Sequence, residues 1–258
     1  MSILDKILAT KREEIAAAKA MPPAPALDGT RPRRSLIAAL RRPTGQPVRV
    51  LSEVKRASPS AGPIRSGADP VAIAVEYAAA GAAAISVLTD RLYFAGDLAF
   101  LAPVHAAVAV PVLRKDFLID AFQVDETRRA GADALLLIVA ALSPRDLELM
   151  LRETHRAGLE ALVEVHTLAE LDTALSAPHR PALIGVNHRD LATFAIDMTL
   201  TEQIAKRVPS GTVLVAESGI KTAADVRRLG DAGAHAVLVG EQLMRAASPG
   251  DALRELLA

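Results

Sequence analysis

Eight apolar segments recur between residues 48 and 241, and most of them close on a polar residue or a glycine. They read VRVLSEVK (48–55), AAAISVLTD (82–90), PVLRKD (111–116), ALLLIVA (134–140), EALVEV (160–165), LIGVN (183–187), TVLVAES (212–218) and AVLVGE (236–241). Runs this continuously apolar suit strands of a parallel sheet covered on both faces. Helix-like sequence separates them, and polar residues at the C-terminal ends of parallel strands describe the active face of a (β/α)8 barrel. The length of 258 residues suits one such barrel, which typically needs about 250. A doubly wound open sheet is the alternative, but no G-x-G-x-x-G follows the first strand.

The punctuation agrees with a repeating βα unit. Gly81, Gly131, Gly158 and Gly233 each stand between a helix-like stretch and an apolar run, where a left-handed helix terminus favours glycine. Ser143 with Asp146, Thr167 with Glu170 and Thr222 with Asp225 place an acid three residues after a hydroxyl, a helix-start signal. Before the first strand, Ile3, Leu4, Ile7, Leu8 and Ile15 predict an amphipathic helix over 3–19, and 34–42 predicts a second short one. Prolines at 22, 23, 25 and 32 separate them. Residues 1–47 are therefore expected to form a helical extension on the barrel of 48–258, one structural domain in all. The extension is either a clamp on the outside or a lid over the mouth.

Composition narrows the function. Thirty basic and thirty acidic residues cancel, and aromatics make up 3% with no tryptophan, so neither nucleic acid nor a membrane surface is an expected partner. There is no cysteine, which removes disulfides and thiol chemistry and suits a reducing cytoplasm. The first twenty residues lack an apolar signal core, and no apolar run approaches the roughly 20 residues that span a bilayer. The six histidines (105, 155, 166, 179, 188, 235) lack paired ligand spacing, so no metal is expected; His105, His155 and His235 read as surface residues.

Alternation along the strands selects the chemistry-bearing groups. Glu53 and Lys55 share one face at the end of strand one, as an acid–base pair or a structural ion pair. On strand three, Lys115 faces the same way as Leu113, while Arg114 and Asp116 point away. A partly desolvated lysine near other cations has a lowered pKa and can act as acid or base; a solvated charge cluster is the plainer reading. Glu164 ends strand five, and Asn187, followed by His188 and Arg189, ends strand six. His188 points away from the side of Asn187. Glu217, Ser218 and Gly219 close strand seven, Gly240 and Glu241 close strand eight, and loops after these strands often hold phosphate. There Glu241 can offer only its backbone. Ser58 adds a hydroxyl from the first loop.

Read together, these residues resemble the indole-3-glycerol phosphate synthases. The resemblance rests on Ser52-Glu-Val-Lys-Arg-Ala-Ser-Pro-Ser60, Ser86–Asp90 with Tyr93–Gly96, Pro111–Phe117, Leu135–Val139, Leu162–Val165, Ile184–Asn187 with Arg189–Leu191, Ala216–Ile220 and Val239–Met244. It implies conversion of 1-(2-carboxyphenylamino)-1-deoxyribulose 5-phosphate to indole-3-glycerol phosphate in tryptophan biosynthesis, a carboxy-lyase reaction that releases carbon dioxide and water without a cofactor. It implies Lys115 as the acid at the substrate carbonyl and Glu164 as proton donor or acceptor in the dehydration. Lys55 would hold the carboxylate and assist proton transfer, with Glu53, Asn187, Glu217 and Ser218 completing the catalytic set. Arg189 would bind the substrate carboxylate, and Ser58, Gly219, Gly240 and the Glu241 backbone the phosphate. Phe94, Phe117, Leu136 and Leu191 would line the aromatic-ring pocket. Departures are Ala61 in place of a basic residue, Asp97 in place of a small polar one, His188 for Asn or Ser, and Gln242 for Ser.

Two readings compete. A related phosphate-binding barrel, phosphoribosylanthranilate isomerase, relies on a Cys–Asp pair that this chain cannot supply. A non-catalytic sensor would be signalled by loss of Lys115 or Glu164, and both are present. The partner expected is a small phosphorylated molecule. The chain ends soon after a final helix at 251–257, from which a single function is expected, as a monomer with a homodimer as the alternative.

Overall fold

The computed structural model describes residues 2–22, 33–43, 45–190 and 193–258. Eight parallel strands close on themselves: β1 (Arg49–Val54), β2 (Ala84–Leu88), β3 (Val112–Lys115), β4 (Ala134–Ile138), β5 (Glu160–Val165), β6 (Leu183–Asn187), β7 (Val213–Glu217) and β8 (Ala236–Val239). Each pairs with the next, and β8 returns to β1 through Arg49–Ala236 and Ser52–Val239. The barrel is the (β/α)8 architecture that the apolar runs predict.

Closure sorts alternate residues into two environments. Val50, Val54, Ile85, Val87, Leu137, Val163 and Ile184 face outward and are buried by the surrounding helices. Leu51, Ala84, Leu113, Ala134, Leu136, Leu162, Leu183, Val213, Val215, Ala236 and Leu238 face the lumen and fill it. This apolar plug is a packed core, not a pore. Above it, toward the strand C-termini, the inward positions become charged.

The helix signals hold. Ser143, Thr167 and Thr222 accept hydrogen bonds from the N–H groups of Asp146, Glu170 and Asp225. Gly81, Gly131, Gly158 and Gly233 have φ of 102°, 82°, 68° and 107°, the left-handed region expected at those helix ends. One element was not anticipated: the first βα loop carries a two-stranded hairpin, Ala57–Ser58 against Gly62–Pro63, with Ser58 Oγ accepting from the Ala61 N–H at 3.2 Å.

The two N-terminal helices serve opposite ends of the barrel. The short α2 (Leu36–Leu40) lies under the strand N-termini, where Leu36 and Leu40, both fully buried, seal the lumen core from below. Glu160, the first residue of β5, fixes it by accepting from Ser35 Oγ (2.7 Å) and the Ile37 N–H (2.8 Å). Helix α1 (Ile3–Lys19) instead reaches the mouth. Its buried Lys11 lies 3.1 Å from Asp90 and 3.0 Å from Asp116, the residues just beyond β2 and β3. Of the N-terminal helices, α1 thus lies at the mouth and α2 at the floor.

His105, read as a surface residue, is buried instead, 3.3 Å from Asp133, which also accepts the N–H groups of Val112 and Arg34. A polar ring can be buried there because that carboxylate satisfies it. Among the described residues no helix is long and apolar enough to cross a membrane.

Leu40→Ala should leave a void in the sealed floor. We expect it to cost about 2–5 kcal/mol, read as a lowered urea midpoint with an unchanged m-value.

Candidate active site

The charged layer begins one step above the apolar plug on each contributing strand. Glu53 follows Leu51, Lys115 follows Leu113, Glu164 follows Leu162, Asn187 follows Gly185 and Glu217 follows Val215, each two residues on and hence on the same face. Strand pairing sets Asn187 directly opposite Glu217, while Glu164 is opposite Gly185 and Lys115 opposite Leu88, so the layer is completed by side chains reaching across the lumen.

Lys115 is the hub. Its Nζ lies 3.0 Å from Glu164 Oε2 and 3.3 Å from Glu217 Oε2. Burial alone would lower its pKa, but the fields of Glu164, Glu217 and Glu53 outweigh burial and hold the ammonium well above its ordinary value. This corrects the expectation of a lysine depressed by cationic neighbours. Arg114 does point out of the lumen, into a buried network with Thr89, Thr127 and Asp116, and what faces Lys115 is carboxylate.

The two glutamates on Lys115 are not equivalent. Burial would raise Glu164, yet Lys115, His166 and the Asn187 amide (Nδ2 to Oε1, 3.1 Å) hold it well below the usual range. Glu217 is pushed up to about 8, by burial first and by its neighbour Glu164, against the pull of Lys115. Two carboxyl groups sharing one cation therefore separate into an anion and a proton carrier. The second oxygen of Glu217, Oε1, has no hydrogen-bond partner and fills the space over Gly185, where an added Cβ would lie 2.2 Å from it. Gly240 does the same for Glu53: a Cβ there would lie 2.4 Å from Glu53 Oε1. That oxygen pairs with Lys55 Nζ at 2.7 Å.

Asn187 ties the layer to the loops, since its Oδ1 accepts from Ser218 Oγ (2.8 Å) and from the Arg189 N–H (3.1 Å). Ser218 has φ of 70°, and its carbonyl meets Nδ1 of the buried His188, whose Nε2 is 2.7 Å from Thr201 Oγ1. His188 therefore lies behind the site and supports the backbone of Ser218. Burial lowers its pKa.

A cavity of about 650 Å³ opens above this layer. One flank is apolar: Phe94 and Phe117, with ring centroids 6.0 Å apart, stand with Leu136 and with Ile3, Leu4 and Ile7 of α1. The other carries Ser58, Gly219, Gly240 and Glu241, and Glu241 turns its carboxylate to Arg245, 3.0 Å away, as expected if only its backbone faces a ligand. Arg189 also lines the cavity. Every sequence-selected residue but one lies on this wall; Leu191 falls outside the described residues. Missed were Lys221 and Arg245 on the glycine-lined flank, Phe194 and Ile196 at the rim, and His166. His166 had a readable signal, two residues beyond Glu164 on the same face.

A (β/α)8 barrel with an apolar plug, a charged upper layer and a roomy mouth defines the class, a barrel enzyme with its site at the strand C-termini. Solved structures agree on the fold. A 3-hexulose-6-phosphate synthase superposes with a TM-score of 0.63 over 81% of this chain and 98% of that one at 16% identity, and a mandelate oxidase variant with 0.61 over 81% and 70% at 18%. At such identity they show the fold alone. The sequence goes further. The family model for indole-3-glycerol phosphate synthase matches residues 4–256. The enzymes of that name from Shouchella clausii and Geobacillus thermodenitrificans are each 49% identical, over 94% and 95% of this chain and 92% and 93% of theirs. The chain belongs to the indole-3-glycerol phosphate synthase family.

His166 sits between Glu164 and Glu170. Burial would lower its pKa, but the two carboxylates push it up to about 10. A histidine raised on folding stabilises fully below its unfolded value, near 6.5, and loses that contribution as pH rises through the folded value. The raised carboxyl of Glu217 acts in the same direction. Stability should therefore fall between pH 6.5 and 10, and fall less steeply in His166→Gln, when urea midpoints are compared across that range.

Proposed function

We propose that the protein converts 1-(2-carboxyphenylamino)-1-deoxyribulose 5-phosphate to indole-3-glycerol phosphate, releasing carbon dioxide and water, as a step of tryptophan biosynthesis. The observation that carries this reading is a half-buried cationic lysine placed between an apolar flank and a glycine-lined one. An aryl ring on the Phe94–Phe117 side and a phosphate near Ser58, Gly219, Gly240 and the Glu241 backbone would put the connecting ketone over Lys115. Holding a flexible chain in a ring-closing geometry removes much of the entropic barrier.

The steps then fall to particular groups. Lys115 donates a proton to the ketone oxygen as the carboxylate-bearing ring carbon bonds to the carbonyl carbon. Carbon dioxide leaves, and its bonding electrons restore the ring. Dehydration removes a proton from the adjacent methylene and expels the new hydroxyl as water. Glu164, held as an anion, suits the acceptor role, while Glu217 carries a proton near neutral pH. Lys55 and Arg189 engage the carboxylate until it departs. Asn187 and Ser218 keep Glu164 and the seventh loop in register, and Glu53 balances Lys55. Leu191 joins the ring pocket in this reading.

In the same reading the 1–47 extension and the 48–258 barrel act as one domain. The seal of Leu36 and Leu40 on the lumen supports this. The same reading takes the protein as a monomer, with a homodimer the alternative, working in the cytoplasm.

The test follows indole fluorescence with this substrate. The parent should turn over, and Lys115→Ala should lose about 10²–10⁴-fold in kcat while circular dichroism shows intact folding. Glu164→Gln should lose kcat with a smaller change in KM. Equal turnover by Lys115→Ala would reject the assigned acid, and a silent, folded parent would reject the reaction.

A further inference from the structure

The proposed reaction has a proton demand that the charged layer alone does not meet. A carboxylate leaves as neutral carbon dioxide and a hydroxyl leaves as water, so each cycle consumes one proton from solvent. Of the groups nearest the chemistry, Glu164 is buried and Lys115 half-buried, and a bound substrate would fill the mouth above them. A second connection to solvent runs through the wall of the barrel. From Lys115 Nζ to Glu164 Oε2 is 3.0 Å, and from Glu164 Oε1 to His166 Nε2 is 3.2 Å. From His166 Nδ1 to Glu170 Oε2 is 3.3 Å. Side-chain exposure along this line is 15% at Lys115, 3% at Glu164, 6% at His166 and 22% at Glu170.

The local structure fixes both ends. Glu164 and His166 share a face at the end of β5 and just beyond it, and Asn187 holds the Oε1 of Glu164. Thr167 caps the helix Leu168–Ser176 by accepting from the Glu170 N–H, and Glu170 Oε2 accepts the His166 backbone N–H at 2.8 Å. His166 Nδ1 is within hydrogen-bond reach of Glu170 Oε2. Nε2 stands 3.2 Å from Glu164 Oε1 without hydrogen-bond geometry, so a small turn of the ring has to precede transfer there. Only the doubly protonated ring presents N–H to both carboxylates. The charged groups facing His166 are Glu164 and Glu170, with Lys115 and Glu217 beyond Glu164.

We propose that His166 and Glu170 form a proton relay that recharges Lys115 through Glu164, a proposal that rests on the function assigned above. Over one turnover Lys115 protonates the ketone oxygen, Glu217 protonates the departing hydroxyl, and the methylene proton taken by Glu164 passes to Glu217. Lys115 alone is left short, so His166 Nε2 gives a proton to Glu164 Oε1 while Glu164 Oε2 gives one to the neutral amine. The carboxylate is unchanged, and the ring is left neutral with its proton on Nδ1. The ring then changes tautomer, placing that proton on Nε2, and Glu170 delivers a solvent proton to Nδ1. His166 and Glu170 act through Glu164 and do not touch substrate, so they are positioning residues with a transport duty.

The experiment compares the parent, His166→Gln and Glu170→Gln in steady state and in a single turnover, with the same substrate, from pH 6 to 9. Glu170→Gln keeps an oxygen to accept the His166 N–H, so it is the decisive variant should His166→Gln not fold. The relay predicts a kcat lowered by about tenfold or more, KM within twofold of the parent, a larger solvent deuterium effect on kcat, and a first turnover at the parental rate. Parental kcat in Glu170→Gln at every pH would overturn the relay while leaving the reaction standing. A first turnover slowed as much as the later ones would also overturn it, since that is distortion of the site. A parent silent on the substrate would reject the reaction and the relay together.

Discussion

A half-buried ammonium between two carboxylates is the interaction on which the mouth of this barrel depends. Lys115, Glu164 and Glu217 lie in the lumen with little solvent to stabilise them, and isolated charges there would cost several kcal/mol each. They persist because each compensates the others. One cation cannot fully serve two anions, however, so the carboxyl with extra partners stays ionised and the other retains its proton. Asn187 and His166 stand on the Glu164 side, while Glu217 has Gly185 behind it and an unpartnered oxygen. The division of labour follows from which neighbours each strand can bring.

That layer needs firm walls, and the N-terminal helices contribute from both directions. Leu36 and Leu40 complete the apolar core below, so water cannot reach the charges through the barrel floor. Above, Lys11 of α1 binds Asp116, the residue after Lys115, and Asp90 beyond the neighbouring strand. The same helix turns Ile3, Leu4 and Ile7 toward the cavity. Its apolar stripe is thus divided between packing, at Ile7, Leu8 and Ile15, and the rim.

Much of this was legible in the sequence because a barrel strand repeats with period two and an apolar anchor identifies the inward set. Leu113 determined the direction of Lys115, and Leu162 that of Glu164. What strand alternation cannot supply is the identity of neighbours across the lumen, which depends on closure and register. Lys115 was therefore given cationic neighbours from its own strand, when its real partners come from β5 and β7. His105 was misplaced for a similar reason: Asp133, which satisfies it, comes from the start of another unit. Metal-ligand spacing gives His166 no role, because what distinguishes it is the pair of carboxylates that flank it. The division of α1 and α2 between opposite ends lay beyond any local pattern.

The comparisons separate what the fold supplies from what this family adds. Barrels of 16% and 18% identity share the architecture, so the apolar plug and the alternation of strands and helices do not by themselves specify chemistry. What this chain sets on that architecture is a layer of charged inward residues, held in place by the layer beneath. A one-residue slip of any strand would turn its inward set outward, exchanging Lys115 for Arg114 or Glu164 for Val163. Leu51, Leu113, Leu162 and Val215 oppose that slip, since each would have to leave the closed core for the helix interface while an outward neighbour entered the lumen. The residues that make the plug dry are therefore also those that aim the chemistry above it.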